Sequence, residues 1–307
     1  MSADPRAVLT RAVPPPDGTV RYGQHPDQIA DVRLPPNGSG RTFPLVVVVH
    51  GGFWRAQWDR AHIGPLAAAL ARLGYPVAQL EYRRTGQPGG GWPGTFADIV
   101  AAVGALPGLM ALDGPPILLG HSAGGHLALW YSAVAALGPA LPGLSDAPTK
   151  SVRGAREGNA LEAPGPARAE RAPASAASGP AGAPTRAPVR GVVALAPVAD
   201  LAEAYRLDLD GGAVAALLGG GPSDVPDRYA EADPSGRLPG TARTVIVHGA
   251  LDRNVPIEMS RRYAAMARQI GAPVTLHELP ESEHFALIDP ESAAWPAVTA
   301  GLHSLHS

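Results

Sequence analysis

The stretch Gly120-His121-Ser122-Ala123-Gly124-Gly125 constrains this chain more than any other. Apolar Ile117-Leu118-Leu119 runs into it, and His126-Leu127-Ala128-Leu129-Trp130-Tyr131 follows it as a helical pattern. Strand, sharp turn and helix therefore succeed one another, with one serine at the apex. Such a turn holds the serine on strained backbone and lifts its hydroxyl clear of the sheet. Gly120 and Gly124 stand two residues either side of Ser122, where the turn leaves almost no space for a side chain. A serine displayed this way needs a base, an acid and hydrogen-bond donors from other strand ends.

The rest of the chain alternates in the same manner. Val46-Val47-Val48-Val49 is a continuous β-branched run, as in a parallel strand covered on both faces. Further strands are expected at 76–81, 190–195, 244–248 and 274–279, and a half-buried or edge strand at 28–34. Helices are expected at 61–73, 96–106, 123 to about 137, 256–270 and 293–305. Asp98 lies near the start of the second, where a carboxylate suits the helix dipole. The fold class is α/β, with a mostly parallel central sheet and helices on both faces.

Residues 1–18, ending in Pro14-Pro15-Pro16-Asp17-Gly18, are expected to form a flexible arm, and 19–307 a single domain. That domain is interrupted at 138–189 by a segment made mostly of Ala, Pro, Gly, Arg and Ser. Such a segment buries too little apolar surface to offset its ordering entropy, so a disordered insertion is expected. It joins a helix C-terminus to a strand N-terminus, and ligands of open α/β sheets bind beyond the strands' carboxyl ends. The insertion should then hang from the edge away from Ser122. Residues 198–240 follow a strand's carboxyl end and are expected to form a small cap.

Composition removes several chemistries. Lys150 is the single lysine among 25 basic residues and falls within the insertion, so a P-loop, a Schiff-base lysine and a Ser–Lys nucleophile pair are excluded. The absence of cysteine excludes disulfides, thiol nucleophiles and Cys-based zinc sites. The formal net charge of -2 gives no electrostatic attraction to nucleic acid or an anionic membrane. No apolar stretch resembles a signal peptide or a membrane span, so a cytoplasmic location is expected. His121 and His126 are five apart and share no helical face, and the other histidines form no ligand cluster. No metal or cofactor is expected, and the expected partner is a small acyl substrate.

Ser122, Asp252 and His284 stand at the carboxyl ends of three strands, in an order that allows one mechanism. Ser122 attacks a carbonyl, His284 moves the proton, and Asp252 orients the imidazole. Asp200, after the preceding strand, competes as the acid, and the alternative for Asp252 is to cap the helix after it. Donors for the oxyanion are assigned to the N–H groups of Gly52 (shared with Gly51 or Phe53) and of Ala123. Phe53 or Trp54, next to that loop, is a candidate substrate-facing residue.

His50-Gly51-Gly52-Phe53-Trp54 resembles the HGGxW signature of serine-dependent kynurenine formamidases (arylformamidases) and the carboxylesterases closest to them. Gly120 to Ala128, Tyr22-Gly23, Glu81-Tyr82-Arg83 and His248-Gly249-Ala250-Leu251-Asp252 with Val255-Pro256 are similar to segments of the same group. The resemblance covers about 20–137 and 190–290 and departs at Ser282-Glu283-His284-Phe285, where relatives often carry glycine near the histidine. It implies the α/β-hydrolase fold and a Ser–Asp–His serine hydrolase acting on an N-formyl aryl amide, with a short-chain carboxylesterase as the alternative. A prolyl-oligopeptidase-type peptidase lacks its propeller-sized extra domain here. The non-enzymatic alternative is a binding module on a hydrolase fold.

Overall fold

Strand formation follows the apolar runs. A computed structural model describes residues 4–36, 43–135, 186–238, 240 and 242–306. In chain order the strands are β1 (Gly18–Arg21), β2 (Ile29–Arg33), β3 (Val46–Val49), β4 (Val77–Leu80), β5 (Ile117–His121), β6 (Gly191–Leu195), β7 (Arg243–Gly249) and β8 (Val274–Leu279). They form one sheet in the order β1-β2-β4-β3-β5-β6-β7-β8, antiparallel at β1–β2 and β2–β4 and parallel elsewhere. Because side chains alternate along a strand, the valine run serves two cores. Val47 and Val49 join Leu118, Phe96 and Trp130 on one face, and Val46 and Val48 join Leu66, Leu70 and Leu302 on the other.

The helices are α1 (Gly64–Arg72), α2 (Gly94–Leu109), α3 (Ala123–Ala135), α4 (Leu201–Arg206), α5 (Ala213–Leu218), α6 (Pro226–Ala232), α7 (Ile257–Gln269) and α8 (Trp295–His303). Two further elements escape the sequence patterns. β1 is a short edge strand with little buried surface, and α4 is short and begins directly at the Asp200 cap. Asp98 does more than meet a helix dipole. Fully buried, it accepts from Arg83 Nη2 at 2.6 Å, Arg83 N at 2.8 Å and Gln28 Nε2 at 2.7 Å, tying the loop after β4 to α2 and to the segment before β2.

Residues 4–18 differ from the expected flexible arm. Pro5–Thr10 forms a 3-10 helix whose Val8 is buried in the second core, and Arg11 pairs with Asp289 at 2.5 Å. Val8 and Leu9 against the core, Arg11 paired with Asp289 and Glu291, and Arg33 Nη1 donating to Pro14 O at 2.8 Å dock the segment. The expected insertion at 138–189 lies outside the described residues except for 186–189. Residues 198–238 pack against α3 and its surroundings: Trp130 Nε1 donates to Glu231 O at 2.8 Å, and Trp92 N donates to Leu217 O at 2.7 Å. His126 Nε2 meets Ala232 O at 3.0 Å, and burial lowers its pKa to about 4, so the ring is neutral and structural. Among the described residues no helix is long and apolar enough to cross a membrane.

Candidate active site

β5 ends at His121 and α3 begins at Ala123, leaving Ser122 alone at the turn with φ +56°. That left-handed backbone is unfavourable for a residue with a Cβ and is sustained by its neighbours. Ser122 N donates to Leu195 O at 2.8 Å, and Ser122 O accepts from His126 N at 3.0 Å and Val198 N at 3.3 Å. The flanking glycines are sterically required. A Cβ on Gly120 would lie 2.2 Å from Gly124 O, and one on Gly124 would lie 2.1 Å from Val49 O.

Asp252 and His284 meet across the ends of β7 and β8. His284 Nδ1 lies 2.6 Å from Asp252 Oδ2, while Asp252 Oδ1 accepts from Asn254 N at 2.8 Å and Val255 N at 2.9 Å. Burial opposes ionisation of Asp252, but hydrogen bonding from His248 and His284 outweighs it and holds the carboxyl well below the usual range. Leu251 N donates to Ser282 O at 2.9 Å, stitching the acid loop to the histidine loop. Asp200, the competing acid, accepts from Glu203 N at 2.8 Å and caps α4 instead.

His121 brings His284 to the elbow. Its Nε2 lies 3.2 Å from the His284 carbonyl, and the two rings stand 4.5 Å apart. Burial, reinforced by neighbouring His284, pushes the His121 pKa well down, so Nε2 carries the single ring proton and donates. His284 thus sits against the residue that precedes Ser122.

The loop after β3 closes on the same serine. A Cβ on Gly51 would lie 2.9 Å from His121 O and 3.0 Å from Ser122 Cβ, so only a bare backbone can rest there. Gly52, Phe53 and Trp54 follow at φ +98°, +46° and +57°, a run of left-handed residues that reverses the chain. Among the described residues no hydrogen bond uses the N–H of Gly51, Gly52 or Ala123. Ala123 opens α3, where helix N–H groups have no internal partner. Phe53 is half-buried against the core. Trp54 corrects the sequence expectation. With no exposed surface, it packs edge-on to His126 at 5.1 Å as a core residue, its carbonyl accepting from Thr85 N at 2.8 Å.

Sequence reasoning missed the anchor of this loop. His50 Nδ1 lies 2.8 Å from Gly51 O, and Nε2 lies 2.8 Å from Glu81 Oε1, with the ring stacked on Tyr82 at 4.4 Å. Both ring nitrogens thus face oxygen atoms, one on the backbone and one on a buried carboxylate. Burial resists charge on Glu81, but His50, Arg84 and the Arg60 N–H prevail and lower its pKa to about 2. Clamping the Gly51 carbonyl also orients the N–H of Gly52, which points the opposite way on the same planar trans peptide. The Glu81-Tyr82-Arg83 segment carried this signal without disclosing its partner.

Fold and site together define an α/β hydrolase, with the serine elbow at the carboxyl end of a central parallel strand. The chain belongs to the alpha/beta hydrolase family, which it matches over residues 46–294. It is 27% identical over 259 residues to Esterase LipQ of Mycobacterium tuberculosis, across 82% of this chain and 52% of that protein. It is 26% identical to the probable carboxylic ester hydrolase LipM of the same organism, across 92% of this chain and 59% of that one. The chain thus spans little more than half the length of these relatives. Among solved structures, esterase B from Lactobacillus rhamnosis superposes with a TM-score of 0.70 at 18% identity, covering 98% of this chain and 89% of that one. A bacterial heroin esterase superposes at 0.62 and 21% identity, covering 94% and 84%. At these identities the superpositions establish the fold.

Proposed function

We propose that the protein is a serine esterase that cleaves a small acyl ester through an acyl-enzyme on Ser122. The observation that carries this reading is the 2.6 Å contact between His284 and Asp252, with His284 packed against the residue before a strained serine. His284 takes the Ser122 hydroxyl proton as Oγ attacks the substrate carbonyl. The oxyanion that forms is met by the N–H groups of Gly52 and Ala123, with Gly51 able to contribute. Each such donor is worth about 10²–10³ in rate. His284 then protonates the departing alcohol, and water attacks the acyl-serine by the reverse path, with Asp252 holding the imidazole tautomer throughout. The likeness to LipQ and LipM supports an ester as the substrate.

The second reading is an arylformamidase acting on N-formylkynurenine, which rests on the His50-Gly51-Gly52-Phe53-Trp54 loop. Ester and formamide hydrolysis share the tetrahedral intermediate and its donors. Burial of Trp54 removes an indole wall that would have suited an aromatic amide and an aryl ester alike, leaving Phe53 as the aromatic candidate. The test is fluorophosphonate labelling of wild type and Ser122→Ala, followed by kcat/KM for N-formylkynurenine beside short-chain and aryl esters. Labelling that depends on Ser122, with ester rates equal to or above the formamide rate, is expected. A clear formamide preference would select the second reading, and an unlabelled folded wild type would refute both.

A further inference from the structure

The proposed acid has a second imidazole behind it. His248, on β7, places Nε2 3.0 Å from Val255 O and 3.3 Å from Asp252 Oδ2. Its Nδ1 lies 2.7 Å from Ser260 Oγ on α7. His248 and Ser260 are both fully buried. The two oxygens beside Nε2 require a proton there, and the hydrogen bond between Nδ1 and the Ser260 hydroxyl fixes the ring from its other side. The hydrogen bond proper goes to the Val255 carbonyl, and the Asp252 carboxylate takes a weaker, off-axis share of the same N–H.

Two Ser–His arms therefore converge on one carboxylate. In the triad proposed above Ser122 and His284 form the working arm, while Ser260 and His248 form an arm sealed in the core. The sealed arm holds the acid in two ways. Val255 N donates to Asp252 Oδ1 while His248 grips the carbonyl of the same Val255, so the turn that cradles the carboxylate is fastened from behind. The His248 N–H also draws on the oxygen that receives the His284 bond.

We propose that His248, locked by Ser260, is a positioning residue that fixes Asp252 and tempers its pull on His284. The inference rests on the triad reading above. Without the His248 N–H, the carboxylate concentrates its charge on the His284 bond and favours the imidazolium to higher pH. Other groups face this assembly from several sides. Neutral His121 on β5 stands against His284, with His62 beyond it. Glu278 on β8 is paired in register with His248 and is bound by Arg261.

The test uses the full chain with His248→Leu, His248→Gln and Ser260→Ala, assayed on an aryl acetate ester from about pH 5 to 9. His248→Leu is expected to lower kcat by about three- to ten-fold, the worth of one hydrogen bond, with KM within about two-fold. The acid limb of kcat/KM moves up by about half a pH unit. His248→Gln, whose amide N–H can replace the donor, restores most of both, and Ser260→Ala shifts both in the same direction by less. A folded His248→Leu with wild-type kcat and an unmoved acid limb overturns the proposal, as does a loss in His248→Leu that Gln does not relieve. Where His248→Leu fails to fold, an unmoved acid limb in Ser260→Ala overturns it. A wild type without Ser122-dependent turnover would instead refute the triad reading itself.

Discussion

Glu81→Gln tests the anchor of the proposed oxyanion loop with a magnitude the structure supplies. Glu81 is 1% exposed, accepts from Arg60 N at 3.0 Å and pairs with His50 at 2.8 Å. Its pKa falls from 4.5 to about 2 on folding. A carboxyl moved that far contributes about 3 kcal/mol at neutral pH. The sign follows from the lowered value: the contribution is complete above the unfolded pKa and is lost as pH falls toward the folded one. By about pH 3.5 it should shrink to about 2 kcal/mol. Glutamine keeps an oxygen for His50 but removes the buried charge, so Arg84 retains only Asp27 and Arg60 only Asp31 as carboxylate partners. Urea unfolding of wild type and Glu81→Gln at about pH 7 and 3.5 should give a gap that narrows with acid. Hydrolysis of the aryl ester should lose kcat by at least about ten-fold as the Gly51 carbonyl loosens. A stability gap below about 1 kcal/mol, or one equal at both pH values, would refute the reasoning.

Gly124→Ala should abolish folding or cost at least about 3 kcal/mol, because its Cβ would overlap the Val49 carbonyl at 2.1 Å, and thermal unfolding would show it. Survival at wild-type stability would mean that the elbow is looser than its backbone contacts imply. Trp54→Phe removes a buried indole N–H that has no partner among the described residues, so stability should change by less than about 1.5 kcal/mol and KM should stay constant. A several-fold change in KM would return Trp54 to the substrate wall.

Much of the frame is legible because it is periodic and local. The valine run, the Gly-x-Ser-x-Gly turn and the amphipathic α7 each report on a few consecutive residues, so strand ends and the residues standing on them could be placed directly. Edge strand β1 and helix α4 were missed because four and six residues carry too little periodicity. Asp252 was expected as the acid, with Asp200 as a competitor because both follow strands and precede helices. Only the packing shows Asp200 capping α4 and Asp252 against His284. Trp54 was misjudged because sequence adjacency to the loop says nothing about side-chain direction, which left-handed backbone at 53 and 54 turns inward.

By itself the sequence determined the α/β alternation, the serine elbow and the need for glycine around it, because these follow from side-chain periodicity and backbone sterics over short spans. Tertiary structure decided the partnerships. His50 meets Glu81 across 31 positions, His284 meets Asp252 across 32, and Arg11 meets Asp289 across 278. Such pairs depend on where strands end in space, and burial then sets which charges persist. That is why the elbow could be read from six residues, while the His284–Asp252 contact, the grip of His50 on Gly51 and the second histidine behind Asp252 required the folded chain.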